Sequence, residues 1–182
     1  MNDQAVRIAV KIIKLFEGFC AFAYPDPSSD LYKALSQHGM LQKYMAGTIR
    51  WKDLAPNFQA LDGAPFTVGF GETKGVTKNT VWTLEQATAA LEARAREFMA
   101  EAIKDCPRLA TESPERIAAI TSFAYNVGSE AFATSTACKR IMAQDDHNVP
   151  EAMQRYNKAG GKIMDGLVKR RLIESNLWMS TK

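Results

Sequence analysis

The sequence predicts an α+β fold, mainly helical, with a small loop- and strand-rich lobe and a larger helical lobe. Three observations carry this. An amphipathic helix opens the chain, aromatic, proline and glycine residues punctuate Phe19 to Thr77, and helix-period patterning with cap signals runs from Thr83 onward. With 182 residues, 46% of them hydrophobic, the chain can build one globular domain with a substantial core. The expected small lobe spans about 17–80 and carries an insertion over about 28–65. The helical lobe spans about 81–182 and includes the N-terminal helix.

The first helix is expected from about Gln4 to Gly18, with Arg7, Lys11 and Lys14 as its polar stripe and most other positions apolar, so it should be largely buried. Gly18 is a stop signal. Asp30 to Tyr44 carries Leu31, Leu35, Leu41 and Tyr44, a helical piece broken near Gly39. Alternation in Phe66-Thr67-Val68-Gly69-Phe70-Gly71 predicts a strand with Phe66, Val68 and Phe70 on one face and Thr67, Gly69 and Gly71 on the other. Thr83 and Gln86 form a capping-box pattern for a long helix through Leu84, Ala87, Leu91, Phe98 and Ala102, ending before Pro107. Ser113-Pro114 starts another helix, through Ile117, Ile120, Phe123 and Ala124. Shorter helices are expected near Ser135 to Ala143, Pro150 to Lys158 and Gly166 to Trp178.

Charged residues make up 24% and leave a net charge of +3, too mild for a nucleic-acid binder but compatible with an anionic surface. The longest apolar candidate, Val6 to Cys20, is interrupted by Arg7, Lys11, Lys14 and Glu17, so neither a membrane span nor a signal peptide is expected, and synthesis in the cytoplasm is. Cys20, Cys106 and Cys138 are far apart and odd in number, which fits three separate thiols rather than a disulfide framework or zinc site. His38 and His147 lack ligand-spaced partners, so no metal or other cofactor is expected.

Three places bear on chemistry. On a helical wheel Glu17 lies beside Val6, Val10 and Ile13, at the C-terminal end of its helix. Apolar surroundings and the negative end of the dipole both favour a protonated carboxyl, which a general acid needs; the alternative is an ordinary solvated glutamate. Asp26, in Tyr24-Pro25-Asp26-Pro27, sits on a stiff extended segment suited to orienting a water, or else makes a simple turn. The bare glycine face beside Thr67 would let a flat polymer such as a sugar chain lie close to the backbone, or else marks a bulge or bend.

Taken together, Glu17-Gly18, Tyr24-x-Asp26-Pro27 and Phe66-Thr67-Val68-Gly69-Phe70-Gly71-x-Thr73 resemble the phage-type lysozymes (endolysins) of glycoside hydrolase family 24. Thr121 to Gly128 is similar to that family's central core helix. Ala159-Gly160-Gly161 and Gly166-Leu167-Val168-Lys169-Arg170-Arg171 with Glu174 are similar to its C-terminal signature. The resemblance implies a lysozyme-like fold and a muramidase cutting the β-1,4 bond between N-acetylmuramic acid and N-acetylglucosamine. Glu17 would be the acid, and Asp26 and Thr67 would hold a water on the opposite sugar face. That is the inverting arrangement, with carboxyls about 6.5 to 9.5 Å apart. It further implies that Tyr24, Gly69, Phe70, Gly71 and Asn126 contact substrate. A monomer is expected, acting on peptidoglycan in the periplasm after holin-assisted release, without stable membrane insertion.

The sequence departs from that family in three places. Forty residues separate Asp26 from Thr67, where members have only a few, which makes Asp62 in Leu61-Asp62-Gly63 a rival for the water; Asp26 is preferred for its distance from Glu17 and its Tyr-x-Asp-Pro setting. Glu72 stands where a histidine is common, and Tyr156 where a tryptophan is frequent. The insertion holds Trp51, Tyr44 and Phe58 with Lys43, Arg50 and Lys52, expected either as a flap at the rim of the substrate groove or as a surface elaboration with its own hydrophobic patch. Lys169, Arg170 and Arg171 would face peptidoglycan carboxylates or pair with Glu17, or at least one of them would lie on a solvated helix face neutralised by Glu174. Cys20 is either a plain buried thiol or a regulator of access. A lytic transglycosylase, and a wall-binding module without activity, remain the alternatives.

Overall fold

The computed structural model describes residues 2–180, which fall into two compact units. One is contiguous, Glu17–Leu91. The other comprises the chain up to Phe16 and from Glu92 onward.

In the contiguous unit, strand β1 (Cys20–Pro25) pairs antiparallel with β2 (Phe66–Gly69), in the register Tyr24↔Thr67 and Pro25↔Phe66. The register slips between Cys20 and Tyr24, where β1 bulges. The bulged residues bond elsewhere: the Ala23 N–H donates to the Thr80 carbonyl at 3.0 Å, and the Trp82 N–H to the Ala21 carbonyl at 2.9 Å. β1 thus carries a partner on each side.

Between the strands the chain forms α2 (Asp30–Gln37), α3 (Leu41–Met45), a 3₁₀ turn (Trp51–Asp53) and α4 (Pro56–Gln59). The predicted helical piece broken near Gly39 is α2 and α3. Ser29 caps α2, its Oγ accepting the Tyr32 N–H at 3.2 Å. Leu31, Leu35, Tyr44 and Leu54 are buried together, with Trp51 and Phe58 packed against them. The insertion therefore has its own apolar core. Its aromatic residues are spent there: Phe58 meets the His38 ring edge-on at 5.2 Å, and Lys78 covers Trp51 at 4.0 Å.

Helix α5 (Leu84–Asp105) begins with a reciprocal cap: the Thr83 N–H donates to Gln86 Oε1 at 2.9 Å and the Gln86 N–H to Thr83 Oγ1 at 3.2 Å. The boundary between units falls inside this helix.

In the discontinuous unit, α1 (Asp3–Phe16) buries Ala5, Val6, Ala9, Val10, Ile12 and Ile13, the stripe its period predicts. It ends two residues earlier than expected, so Glu17 and Gly18 lie beyond it. Helix α6 (Pro114–Val127) is capped by Ser113, whose Oγ accepts the Arg116 N–H at 3.3 Å. Ile117 to Ala124 are all buried, which makes α6 the central element, with α1 and α10 (Asp165–Met179) packed on it. Helices α7 (Ser129–Ala133), α8 (Thr136–Met142) and α9 (Val149–Gln154) complete the core; α7 was not anticipated. Lys158, expected as the end of the α9 helix, instead starts a small hairpin, β3 (Lys158–Ala159) and β4 (Lys162–Ile163), turning at Gly160-Gly161.

The cysteines are free thiols, as the sequence reading has them, but two of them are neighbours: Cys106 Sγ lies 3.9 Å from the Cys138 carbonyl, Cys138 Sγ lies 3.7 Å from the Asp105 carbonyl, and the two thiols hydrogen-bond each other. Helix α8 brings them together across the Pro107–Thr111 turn, a closure that linear spacing does not reveal. Of the basic run on α10, Arg170 and Arg171 do not lie on a solvated face. Both are buried on Glu174, Arg170 Nε 3.2 Å from Oε1 and Arg171 Nε 2.8 Å from Oε2, while the Ser122 hydroxyl donates to Oε1 at 2.7 Å. Burial pushes the Glu174 carboxyl up and holds Arg171 down to about 10. Of the three basic residues, only Lys169 is exposed.

Candidate active site

The contiguous unit holds Glu17, Tyr24, Asp26, Asp62, Thr67, Gly69, Phe70 and Gly71. Glu17, half-exposed, occupies a bend directly after the last residue of α1. Three residues on, β1 carries the chain to Tyr24, and the cross-strand register sets Tyr24 opposite Thr67. Their hydroxyls hydrogen-bond. Burial pushes the Tyr24 phenol up, and the Glu17 carboxylate lies close enough to add to that rise. Glu17, Tyr24 and Thr67 therefore share one neighbourhood, although 42 residues intervene between Tyr24 and Thr67; only the folded insertion closes that gap.

Asp26 follows the last residue of β1. Its N–H donates to the Gly63 carbonyl at 3.1 Å, which locks the strand end against the end of the insertion. Asp26 Oδ1 accepts both the Ser28 hydroxyl and the Ser28 N–H, the latter at 2.7 Å, and these bonds hold the carboxyl below the usual carboxylate range. The turn reading of Asp26 is thus correct in geometry, and the same turn favours its anion. Both bonds fall on Oδ1; Oδ2 carries none among the described residues.

Asp62 comes to the same end of the strand pair, since the Leu31 N–H donates to its carbonyl at 2.9 Å and its neighbour Gly63 bonds Asp26. Its own Oδ1 accepts the Ala64 N–H at 3.0 Å in an exposed turn.

The glycine segment is a bend, not an open floor. Val68 and Glu72 exchange N–H···O bonds of 2.9 Å each way, closing a tight loop over Gly69-Phe70-Gly71. Gly69 has φ of 69°, and a Cβ there would stand 3.1 Å from Ala87 Cβ and 3.2 Å from the Trp82 ring. Gly69 is therefore glycine for its backbone and for Trp82, a packing partner that sequence reasoning missed. Phe70 is buried against Phe19 at 5.5 Å between ring centroids, and only Gly71 of the three is exposed. Glu72, where a histidine was expected, accepts the Thr73 and Lys74 N–H groups on Oε1 at 3.0 Å and so fastens the loop.

Asn126 belongs to the other unit. It is exposed, its Oδ1 accepts from Arg171 Nη2 at 3.0 Å, and it lines a depression of about 420 Å³ with Tyr156 and Lys158. Among the described residues no cluster of histidine, cysteine, aspartate or glutamate could hold a metal, and no helix is long and apolar enough to cross a membrane.

A phage lysozyme family model matches residues 50–174, which includes Thr67 and Asn126 and begins beyond Glu17 and Asp26. The chain is 33% identical over 116 residues to the endolysin of Bacillus phage B103, a match covering 63% of this chain and only 43% of that protein. It is also 33% identical over 116 residues to the SAR-endolysin of bacteriophage PS34, covering 62% of this chain and 68% of the relative. Among solved structures, an endolysin from Escherichia coli O157:H7 phage FAHEc1 superposes with a TM-score of 0.65 at 26% identity, over 96% of this chain and 92% of that one. The fold is lysozyme-like, and the chain belongs to the phage lysozyme family.

Proposed function

We propose that this protein is a muramidase of the endolysin type, which hydrolyses the β-1,4 bond between N-acetylmuramic acid and N-acetylglucosamine in peptidoglycan. The observation that carries this reading is the grouping on one strand pair: Glu17 ahead of β1, the Tyr24 and Thr67 hydroxyls bonded across the register, and anionic Asp26 at the far end of β1. General-acid hydrolysis needs one carboxyl to give a proton to the leaving oxygen and a second, ionised one to prepare water.

Glu17 takes the acid role. It stands half-exposed at the bend directly after α1, on the segment that leads into β1 and Tyr24. Asp26, kept ionised by Ser28, accepts a proton from water on Oδ2, and Thr67, steadied by Tyr24, supplies the second hydrogen bond to that water. Attack opposite the leaving group inverts the anomeric carbon. Asp26 is preferred to Asp62 because its bonds to Ser28 favour the anion. Release to the wall through a holin-type partner and action as a monomer belong to the same proposal.

Clearing of outer-membrane-permeabilised cells by the wild type, Glu17→Gln, Asp26→Asn and Asp62→Asn tests it. Glu17→Gln should lower the rate by about 10²–10⁴-fold, Asp26→Asn strongly, and Asp62→Asn little. Equal clearing by Glu17→Gln and wild type would remove Glu17 from the mechanism. New reducing ends are the expected products; 1,6-anhydromuramic ends would instead assign a lytic transglycosylase.

A further inference from the structure

The insertion does more than fill its own core. Helix α3 is fastened to β1 at three points. Cys20 Sγ donates to the Met45 carbonyl at 3.5 Å, Arg50 lies over the Phe22 ring at 4.5 Å, and Gly47 lets that ring settle against the end of α3. A side chain at Gly47 is excluded twice, since φ is 73° and a Cβ would stand 2.2 Å from Phe22. These contacts set the end of α3 against β1. Between α3 and β1 runs an open groove of about 620 Å³, within the roughly 300–1,000 Å³ of ligand sites. It starts at Gly18, the residue after Glu17, and Tyr24 lines it as well, so it is continuous with the proposed active site.

One wall presents aromatic side chains: Phe19, 41% exposed and held by Phe70, and Phe22, held by Gly47 and Arg50. The other presents Gln42, Met45 and Ala46, with Gln42 and Ala46 exposed one helical turn apart. A pre-positioned ring opposite a carboxamide, which both donates and accepts, matches the apolar face and acetamido group of an N-acetylhexosamine. We infer that the groove between β1 and the inserted helix α3 is an additional glycan subsite, binding an N-acetylhexosamine unit of the strand beyond those that flank the cleaved bond. The inference rests on the muramidase reading for its direction along the strand.

The test uses Ala46→Trp, which fills the groove from an exposed position, and Gln42→Ala, each in the wild-type and Glu17→Gln backgrounds. Thermal melts confirm that each variant folds. The probes are long peptide-free glycan strands and a tetrasaccharide of the same repeat. Both substitutions should weaken binding of long strands to the Glu17→Gln protein roughly tenfold and raise KM for them with kcat unchanged, leaving tetrasaccharide turnover as it was. A merely structural effect would move both substrates together. Unchanged affinity and KM for long strands in an active enzyme would overturn the subsite and leave the muramidase standing. Loss of strand binding on Ala46→Trp in a protein that never cuts would retire the muramidase and keep the groove as a glycan site.

Discussion

Gly69 shows how one residue can carry a correct signal and a wrong meaning. The alternation around it marks a strand, but alternation says nothing about a positive φ or about Trp82, thirteen positions downstream, which packs where a Cβ would go. Gly69→Ala should therefore destabilise by about 2–3 kcal/mol, combining left-handed strain with overpacking. Gly75→Ala, at a similar φ of 72° but with open space around it, should cost only about 1 kcal/mol. Equal costs in urea unfolding would show that Trp82 does not press on Gly69. Asp26 and Thr67 were legible as residues worth weighing, because proline rigidity and a hydroxyl beside glycines are local features. Tyr24 as the partner of Thr67 was not, since only the register across a folded insertion brings the two hydroxyls together.

At the scale of elements, caps and periods were read well. The Thr83/Gln86 box and the Ser113-Pro114 start are where the hydrogen bonds place them, because a cap is a contact between residues three apart. Helix α10 was read only in part, since Lys169 is solvated and Arg170 and Arg171 are not. Arg170, Arg171 and Glu174 have the spacing of surface ion pairs, and only the approach of α6, which brings Ser122 onto Glu174, shows that they are buried. Glu174→Ala would strand two buried guanidinium groups without their counter-charge. It should cost about 3–5 kcal/mol, whereas Glu151→Ala, which removes solvent-exposed pairs with Arg155 and Arg140, should change stability little. Chemical denaturation midpoints would check the contrast, and similar losses for both would show that the α10 cluster is no more than a surface network.

At the scale of the whole molecule, the long helix that follows Thr83 was legible, since hydrophobic period and punctuation change there. What fastens distant segments was not. Asp146 takes Arg108 Nη1 at 2.5 Å and Arg116 Nη1 at 2.8 Å, while its carbonyl accepts the Trp178 indole N–H at 2.9 Å, so one aspartate joins the turn after α5, helix α6 and the end of α10. The Arg108 hydrogen bonds lead in holding its carboxyl below the usual range. The folded pKa thus lies under the unfolded one. The stabilisation is in force above the unfolded value, near pH 4, and is lost as pH falls through the folded value. Thermal melts should show wild-type Tm dropping more steeply than that of Asp146→Asn below about pH 4. Parallel curves would count against the link.

The division of the chain also bears on how it assembles as it leaves the ribosome. Residues Glu17–Leu91 emerge as an uninterrupted stretch whose internal contacts are complete once Leu91 is free. Helix α1, made before this stretch, packs on α6 and α10, which are made after it. It must wait until α6 and α10 have emerged, with Val6, Val10 and Ile13 unsheltered. Vectorial synthesis therefore favours an order in which Glu17–Leu91 matures before α1 docks on the later-encoded helices.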